Sequence, residues 1–210
     1  MSELLFNELP RPTFRWLRVN HTVSSLAGED TAVQSIAVEA NKNILSPLPV
    51  GTALLDGNYE GANKEAVHVL VEKAEGYAIN VPPKAKEVVG IRIDANARVA
   101  NRFQFIVGEG AELEVQFYVT GSGDALTNVS YLNEYDVKEA GKVVVKKVNL
   151  LPEHVQHIEH RYTKLEEKAD VEYINIEIGG SENILNYYHD LVGQESRMVH
   201  DIAYLGNKEQ

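Results

Sequence analysis

From about residue 66 onward the chain alternates between apolar and polar side chains. Val67, Val69 and Val71 share one parity, with His68, Leu70 and Glu72 on the other. Tyr77, Ile79 and Val81 repeat the pattern up to Pro82-Pro83, followed by Val89, Ile91 and Ile93 and then by Phe103, Phe105 and Val107. In Leu113, Val115 and Phe117 the intervening residues are Glu112, Glu114 and Gln116. The run continues through Val143–Val148, through Val155, His157 and Glu159 into the polar stretch 164–168, and through Val171, Tyr173, Ile174 and Ile176. It ends with 184–189 and 198–204. A period of two marks half-buried strands. No helical periodicity stands out after residue 66, apart from a short helical turn expected at 152–156, with a proline in its first turn.

The first 65 residues read differently. Leu4, Leu5, Phe6 and Leu9 fit one short helical face stopped by Pro10 and Pro12. The single tryptophan, Trp16, lies in Phe14-Arg15-Trp16-Leu17-Arg18-Val19-Asn20, a stretch expected to dock on the main body. Residues 24–40 read as irregular with short ordered pieces, and 41–65 as loop, punctuated by Pro47, Pro49, Gly51, Gly57 and Gly61. The expected division is therefore an N-terminal segment, 1–65, on a β core, 66–210.

The strand openings recur. Gly110-Ala111-Glu112, Lys168-Ala169-Asp170 and Glu195-Ser196-Arg197 each place a small residue before an alternating run, at spacings of 58 and 27 residues. Those spacings suit two coils and one coil of a solenoid with 20-odd residues per coil. A β-sandwich, with strands every 8–12 residues, is the alternative. A solenoid buries each coil only by stacking it on a neighbour. The sequence ends at Lys208-Glu209-Gln210 straight after a strand, so the core is expected to be incomplete at that edge. Another subunit, or a second copy pairing edge to edge, would then cover it.

Composition narrows the chemistry. With 31 acidic against 20 basic residues the formal net charge is −11, which argues against a nucleic-acid partner. The largest basic cluster is Lys146-Lys147. No apolar run is long enough to span a membrane, and the acidic start carries no secretory or transit pattern, so a cytoplasmic location is expected. There is no cysteine, which excludes disulfides, thiolate nucleophiles and thiolate ligands for zinc or iron–sulfur clusters from this chain.

Seven histidines and 31 acids offer candidate sites. His154, His157 and His160 have three-residue spacing, which on a strand sends neighbours to opposite faces, so no metal site is assigned. His189-Asp190 and His200-Asp201 are dipeptides whose two side chains face apart, although His189 and His200 are placed to approach each other across stacked coils. There is no P-loop, no nucleophile elbow and no complete dinucleotide fingerprint. Gly108-Glu109-Gly110 and Gly121-Ser122-Gly123 read as turns. No catalytic residue is assigned. A polysaccharide-acting solenoid enzyme would need acids and exposed aromatics along one groove, with Tyr131, Tyr187 and Tyr188 as candidates. A generic β-rich binding module is the other alternative.

Several segments in order resemble one family. Tyr77-Ala78-Ile79-Asn80-Val81-Pro82-Pro83, Ile91-Arg92-Ile93 and Val107-Gly108-Glu109-Gly110-Ala111-Glu112-Leu113 are similar to the opening of the SufB/SufD core. Pro12-Thr13-Phe14-Arg15-Trp16-Leu17-Arg18-Val19-Asn20 resembles the N-terminal motif of short SufD-like members, and Leu191-Val192-Gly193-Gln194-Glu195-Ser196 and Asp201-Ile202-Ala203-Tyr204-Leu205 resemble family coil turns. The resemblance implies a right-handed parallel β-helix and a non-catalytic scaffold in a Suf-type iron–sulfur assembly complex. Its implied partners are a SufB-like subunit and a SufC-like ATPase. It implies no cofactor bound by this chain alone, with the cluster handled by the assembled complex. Nothing matches the family's C-terminal helical region, so the chain looks SufD-like without that part, and direct contact with the ATPase is in doubt.

Overall fold

The computed structural model describes residues 36–55, 64–96, 98–122 and 127–206, together with the backbone of 3–6 and 22–25. The Trp16 motif and residues 207–210 lie outside them.

Ten strands alternate between two sheets. One sheet takes β5 (Gly76–Val81), β7 (Val99–Val107), β9 (Thr127–Val137), β11 (Val155–Leu165) and β13 (Glu182–Leu191). The other takes β6 (Lys86–Asp94), β8 (Glu112–Thr120), β10 (Lys142–Leu150), β12 (Asp170–Ile178) and β14 (Arg197–Leu205). Every pairing among these ten strands is parallel. The fold is a parallel β-solenoid. A sandwich of antiparallel strands is excluded, because each strand pairs with the one two places along the chain. Lys86 pairs with Glu112, Glu112 with Lys142, Lys142 with Asp170, and Asp170 with Arg197. The four turns therefore take 26, 30, 28 and 27 residues.

The corners explain the repeated small residue. Lys84, Gly110, Ala140, Lys168 and Glu195 all have φ between 53° and 63°, the left-handed value that the third position of a type II turn demands. Each turn closes onto the small residue that follows, as in Ala111 N–H to the Gly108 carbonyl, 3.0 Å. Successive corners also bond to one another: Gly110 N–H donates to Glu139 O and Ala140 N–H to Glu167 O. Ala111 and Ala169 are fully buried, since a larger side chain would strike the neighbouring coil. Gly193 shows the same limit, because a Cβ there would lie 2.0 Å from the Glu167 backbone nitrogen.

Inward positions carry the predicted core: Val89, Ile91, Ile93, Phe103, Phe105, Leu113, Val115 and Phe117 are all at most 2% exposed. Phe105 stacks on Tyr135 at 4.5 Å between ring centroids.

Four local expectations are corrected. The run 66–72 belongs to a helix, α1 (Lys64–Lys73), not a strand. Ala66, Val67, Leu70, Val71 and Ala74 are buried while Val69 is 36% exposed, a helical stripe that the valine alternation masks. The stripe covers the outer face of the β7–β13 sheet, on Leu132, Tyr162, Ile158 and Ile184. Residues 41–65 are not all loop: besides the start of α1 they hold β4 (Leu45–Leu48), which pairs antiparallel with β5, as β3 (Ile36–Glu39) does with β6. The stretch 4–6 is in a strand, β1 (Glu3–Phe6), paired with β2 (Thr22–Ser25), since a helix that short would leave most of its backbone donors unpaired. At 152–156 the chain makes a β-turn closed by Val155 N–H on the Pro152 carbonyl, 3.0 Å, and then enters β11 directly.

A buried clamp fixes the helix and the segment before it. Arg102, on the outer face of β7, donates to the carbonyls of Val71 and Thr52 and lies 3.6 Å from Glu134. Glu134 also accepts from Gln104 at 2.9 Å and from the Leu54 N–H at 3.2 Å.

Candidate functional site

The interior changes character along the solenoid axis. β10 points Val143, Val145, Lys147 and Asn149 inward; β12 points Val171, Tyr173, Asn175 and Glu177; β11 points His157, Glu159, Arg161 and Thr163. All twelve are at most 1% exposed. Parallel register stacks Lys147 directly over Phe117 on one side and under Asn175 on the other.

Lys147 lies between two carboxylates, Glu159 and Glu177, and pairs with both. Glu159 is also held by Arg161, with Nη2 2.6 Å and Nε 3.1 Å from Oε1. Asn133 donates to it at 2.9 Å and the Tyr187 hydroxyl at 3.2 Å. The Arg161 guanidinium is sandwiched between Tyr173 and Tyr187, 4.2 and 4.3 Å from the ring centroids, an arrangement in which aromatic faces stabilise a desolvated cation. Glu177 accepts from Asn149 at 3.1 Å. Two cations and two carboxylates thus balance inside the coil, as buried charges must.

Electrostatics fixes the protonation states. Burial raises the Glu159 pKa, but the charges of Arg161 and Lys147 outweigh it and keep the group ionised, well below the usual carboxylate range. Burial, reinforced by the charge on Lys147, lowers His157 to about 3, so its ring is neutral. Its Nε2 is 3.0 Å from the Tyr131 hydroxyl and its Nδ1 3.1 Å from Asn183 Oδ1. Burial pushes the tyrosines Tyr131 and Tyr187 well above their ordinary value.

The three spaced histidines separate as the strand geometry requires. His154 sits in the turn, His157 points inward and His160 points outward, beneath neighbouring side chains and lowered to about 4 by burial. His189 and His200 do approach, at 6.3 Å and 83° between rings, both against Tyr173. Both are lowered to about 4, first by burial and then by Arg161. Asn175 meets His200 Nε2 at 3.2 Å. Among the described residues no group of three or more His, Cys, Asp or Glu side chains is arranged to hold a metal ion.

The Lys147, Glu159, Arg161 and Glu177 side chains are closed off from solvent and bonded to one another. Glu159 and Glu177 share one lysine and have no exposed surface, so no substrate reaches them. Tyr131, a candidate for an aromatic groove, is fully buried, Tyr187 is spent on Arg161, and only Tyr188 of the three is exposed, at 36%. Tyr131 and Tyr187 therefore do not line an exposed groove with Tyr188.

A family model described as "SUF system FeS cluster assembly, SufBD core domain" matches residues 91–210. The chain belongs to the SufBD family. The match begins inside β6 and runs through β14, so it takes in both the apolar coils and the charged ones, and it ties the chain to iron–sulfur cluster assembly. No curated protein and no solved structure matched the chain.

The sequence reading missed the network of Lys147, Glu159, Arg161 and Glu177. A signal for it exists: these charges stand in phase with inward apolar residues, as in Val143, Val145, Lys147 and in Val171, Tyr173, Asn175, Glu177.

Proposed function

We propose that this SufBD chain is a non-catalytic, SufD-like scaffold subunit of a Suf-type iron–sulfur assembly complex, pairing with a SufB-like subunit and working with a SufC-like ATPase. The family match over a continuous solenoid core is the observation that carries this reading. Two further features support it. The titratable side chains most suited to chemistry are locked into a balanced, buried network, and the sequence has no cysteine. Thiolate ligands for the cluster, which is the cargo of the complex, would therefore come from a partner. The cytoplasm is the proposed location, with which a chain without disulfides is compatible.

Pairing has a natural place. At the β13–β14 end the inward-facing Leu191, Ile202 and Tyr204 are 46, 49 and 53% exposed. Two strands from a SufB-like subunit, one added beside β13 and one beside β14, would extend both sheets and cover these side chains.

Co-expression of the full-length protein with SufB-type and SufC-type subunits tests the proposal. We expect co-elution of all three through size exclusion. Elution of this protein alone, while the SufB-type and SufC-type subunits elute together, would contradict it.

A further inference from the structure

Opposite charges meet at every step across the sheet that ends in β14. Arg92 of β6 lies 4.0 Å from Glu39 of β3, Lys86 of β6 2.8 Å from Glu112 of β8, and Lys146 of β10 2.9 Å from Glu114 of β8. Lys142 of β10 stands beside Asp170 of β12 in register, and Asp170 lies 3.8 Å from Arg197 of β14. On the other sheet Lys164 of β11 stands between Asp136 of β9 and Asp190 of β13. At the corners Lys138 lies 3.0 Å from Glu166. Exposed pairs of this kind add at most ~1 kcal/mol each. Their larger effect is on register and on the choice of neighbour, because like charges side by side on adjacent strands repel.

β13 and β14 have a strand on one side only. On their outward faces Asp190 and Asp201 are exposed. Asp190 has Lys164 beside it on β11, whereas the residue beside Asp201 on β12 is Ile174. The inward positions of the same edge hold Leu191, Ile202 and Tyr204. A further cation on the inward side is disfavoured, because Lys147 and Arg161 already balance the two buried carboxylates, and an unbalanced buried charge is costly. A strand that fits beside β13 or β14 therefore alternates, with apolar residues inward and basic residues outward.

We propose that this edge selects a partner whose two docking strands carry apolar residues inward, over Leu191, Ile202 and Tyr204, and lysine or arginine outward, beside Asp190 and Asp201. The inference rests on the edge being the partner site, as proposed above, and adds the chemistry that the partner presents. The field at longer range favours the same strands. Residues 182–205 carry the acids Glu182, Asp190, Glu195 and Asp201 against Arg197 alone, so the edge attracts a basic surface. Backbone pairing and apolar burial supply the affinity, while the charges steer the encounter and fix the register.

Binding of the full chain to a purified SufB-type subunit, followed from ~50 to ~500 mM salt, provides the test. We expect the association rate to fall about tenfold over that range. The dissociation constant should rise about tenfold in Asp190→Lys/Asp201→Lys, and less in Asp190→Asn/Asp201→Asn. It should stay within about twofold in Glu72→Lys/Glu109→Lys, which makes the same change of charge at exposed positions on α1 and an early corner. Ile202→Lys, at an inward position, probes the edge itself and should abolish binding. If Asp190→Lys/Asp201→Lys binds as the unaltered chain does while Ile202→Lys does not, the edge is the partner site and the charge selection is wrong. If the unaltered chain does not bind, or Ile202→Lys binds unchanged, the edge is not the partner site and the inference falls with it. Equal weakening in Glu72→Lys/Glu109→Lys, or an association rate indifferent to salt, would overturn the inference as well. The salt series uses the unaltered chain, so it decides even if a variant misfolds.

Discussion

Along one interior ladder the residue changes from Ile91 to Phe117 to Lys147 to Asn175, and along another from Ile93 to Val119 to Asn149 to Glu177. The backbone is the same in every coil, and the corners keep the same left-handed turn. What differs is the kind of stabilisation. The early coils gain it from buried apolar area, at ~25 cal/mol per Å², which is non-directional and tolerant of small changes in shape. The later coils depend on charges that cancel only while every partner stays in place. A desolvated ion pair adds little net stability, yet losing one member costs several kcal/mol. The later coils are therefore specified sharply and forgive little, and they adjoin the edge at which a partner is proposed.

The largest effect expected of a single substitution breaks the charged half directly. Lys147→Met leaves Glu159 and Glu177 buried without their shared cation, and should cost about 3–5 kcal/mol in denaturant unfolding. Glu159 keeps Arg161, so the loss should fall chiefly on the surroundings of Glu177.

Acid should act on the same half next. His157 and His160 are fully buried and their folded pKa values are lowered to about 3 and about 4, below the unfolded value of about 6.5. Between roughly pH 6.5 and 4 the unfolded chain binds protons that the folded chain does not, so stability is complete above that window and falls as pH falls through it. These two protons alone give a slope of about 2–3 kcal/mol per pH unit, to which the part-buried His189 and His200 add, readable from urea midpoints at a series of pH values. A flat profile would show that these rings are protonated at no cost to the fold.

The apolar half should respond mildly. Ile91→Val, on the same ladder as Lys147, should cost about 0.5–1.5 kcal/mol. The smallest effect belongs to the surface: Lys86→Ala removes an exposed pair with Glu112, 2.8 Å apart, and should leave the urea midpoint unchanged.

Much of this comparison was legible in the sequence, for definite reasons. Strand alternation and the small residue after each corner are local properties, so Ala111 and Ala169 marked the coil repeat and Phe103 and Phe105 the core. The helix α1 was hidden because Val67, Val69 and Val71 satisfy a period of two, while Ala66, Val67, Leu70 and Val71 satisfy 3.6; only packing on Leu132 and Tyr162 decides between them. The charged network was hidden for another reason. Lys147 and Glu159 are 12 residues apart and Asn149 and Glu177 are 28 apart, and only the coil register brings them together. Lys147, next to Lys146, reads as an ordinary surface pair until β10's parity turns one of them inward. His189 and His200 do approach, but across the interior of one coil, from β13 and β14 in opposite sheets, and not between stacked coils.

Hydrogen exchange followed by mass spectrometry on the Lys147→Met variant tests the difference between the two regions most directly. Neighbouring coils of a solenoid stabilise one another chiefly pairwise, so we expect protection to fall in 142–191, across β10 to β13, and to persist in 76–120, across β5 to β8. Equal loss of protection in both regions, or no loss in either, would contradict a solenoid whose two halves are held by different forces.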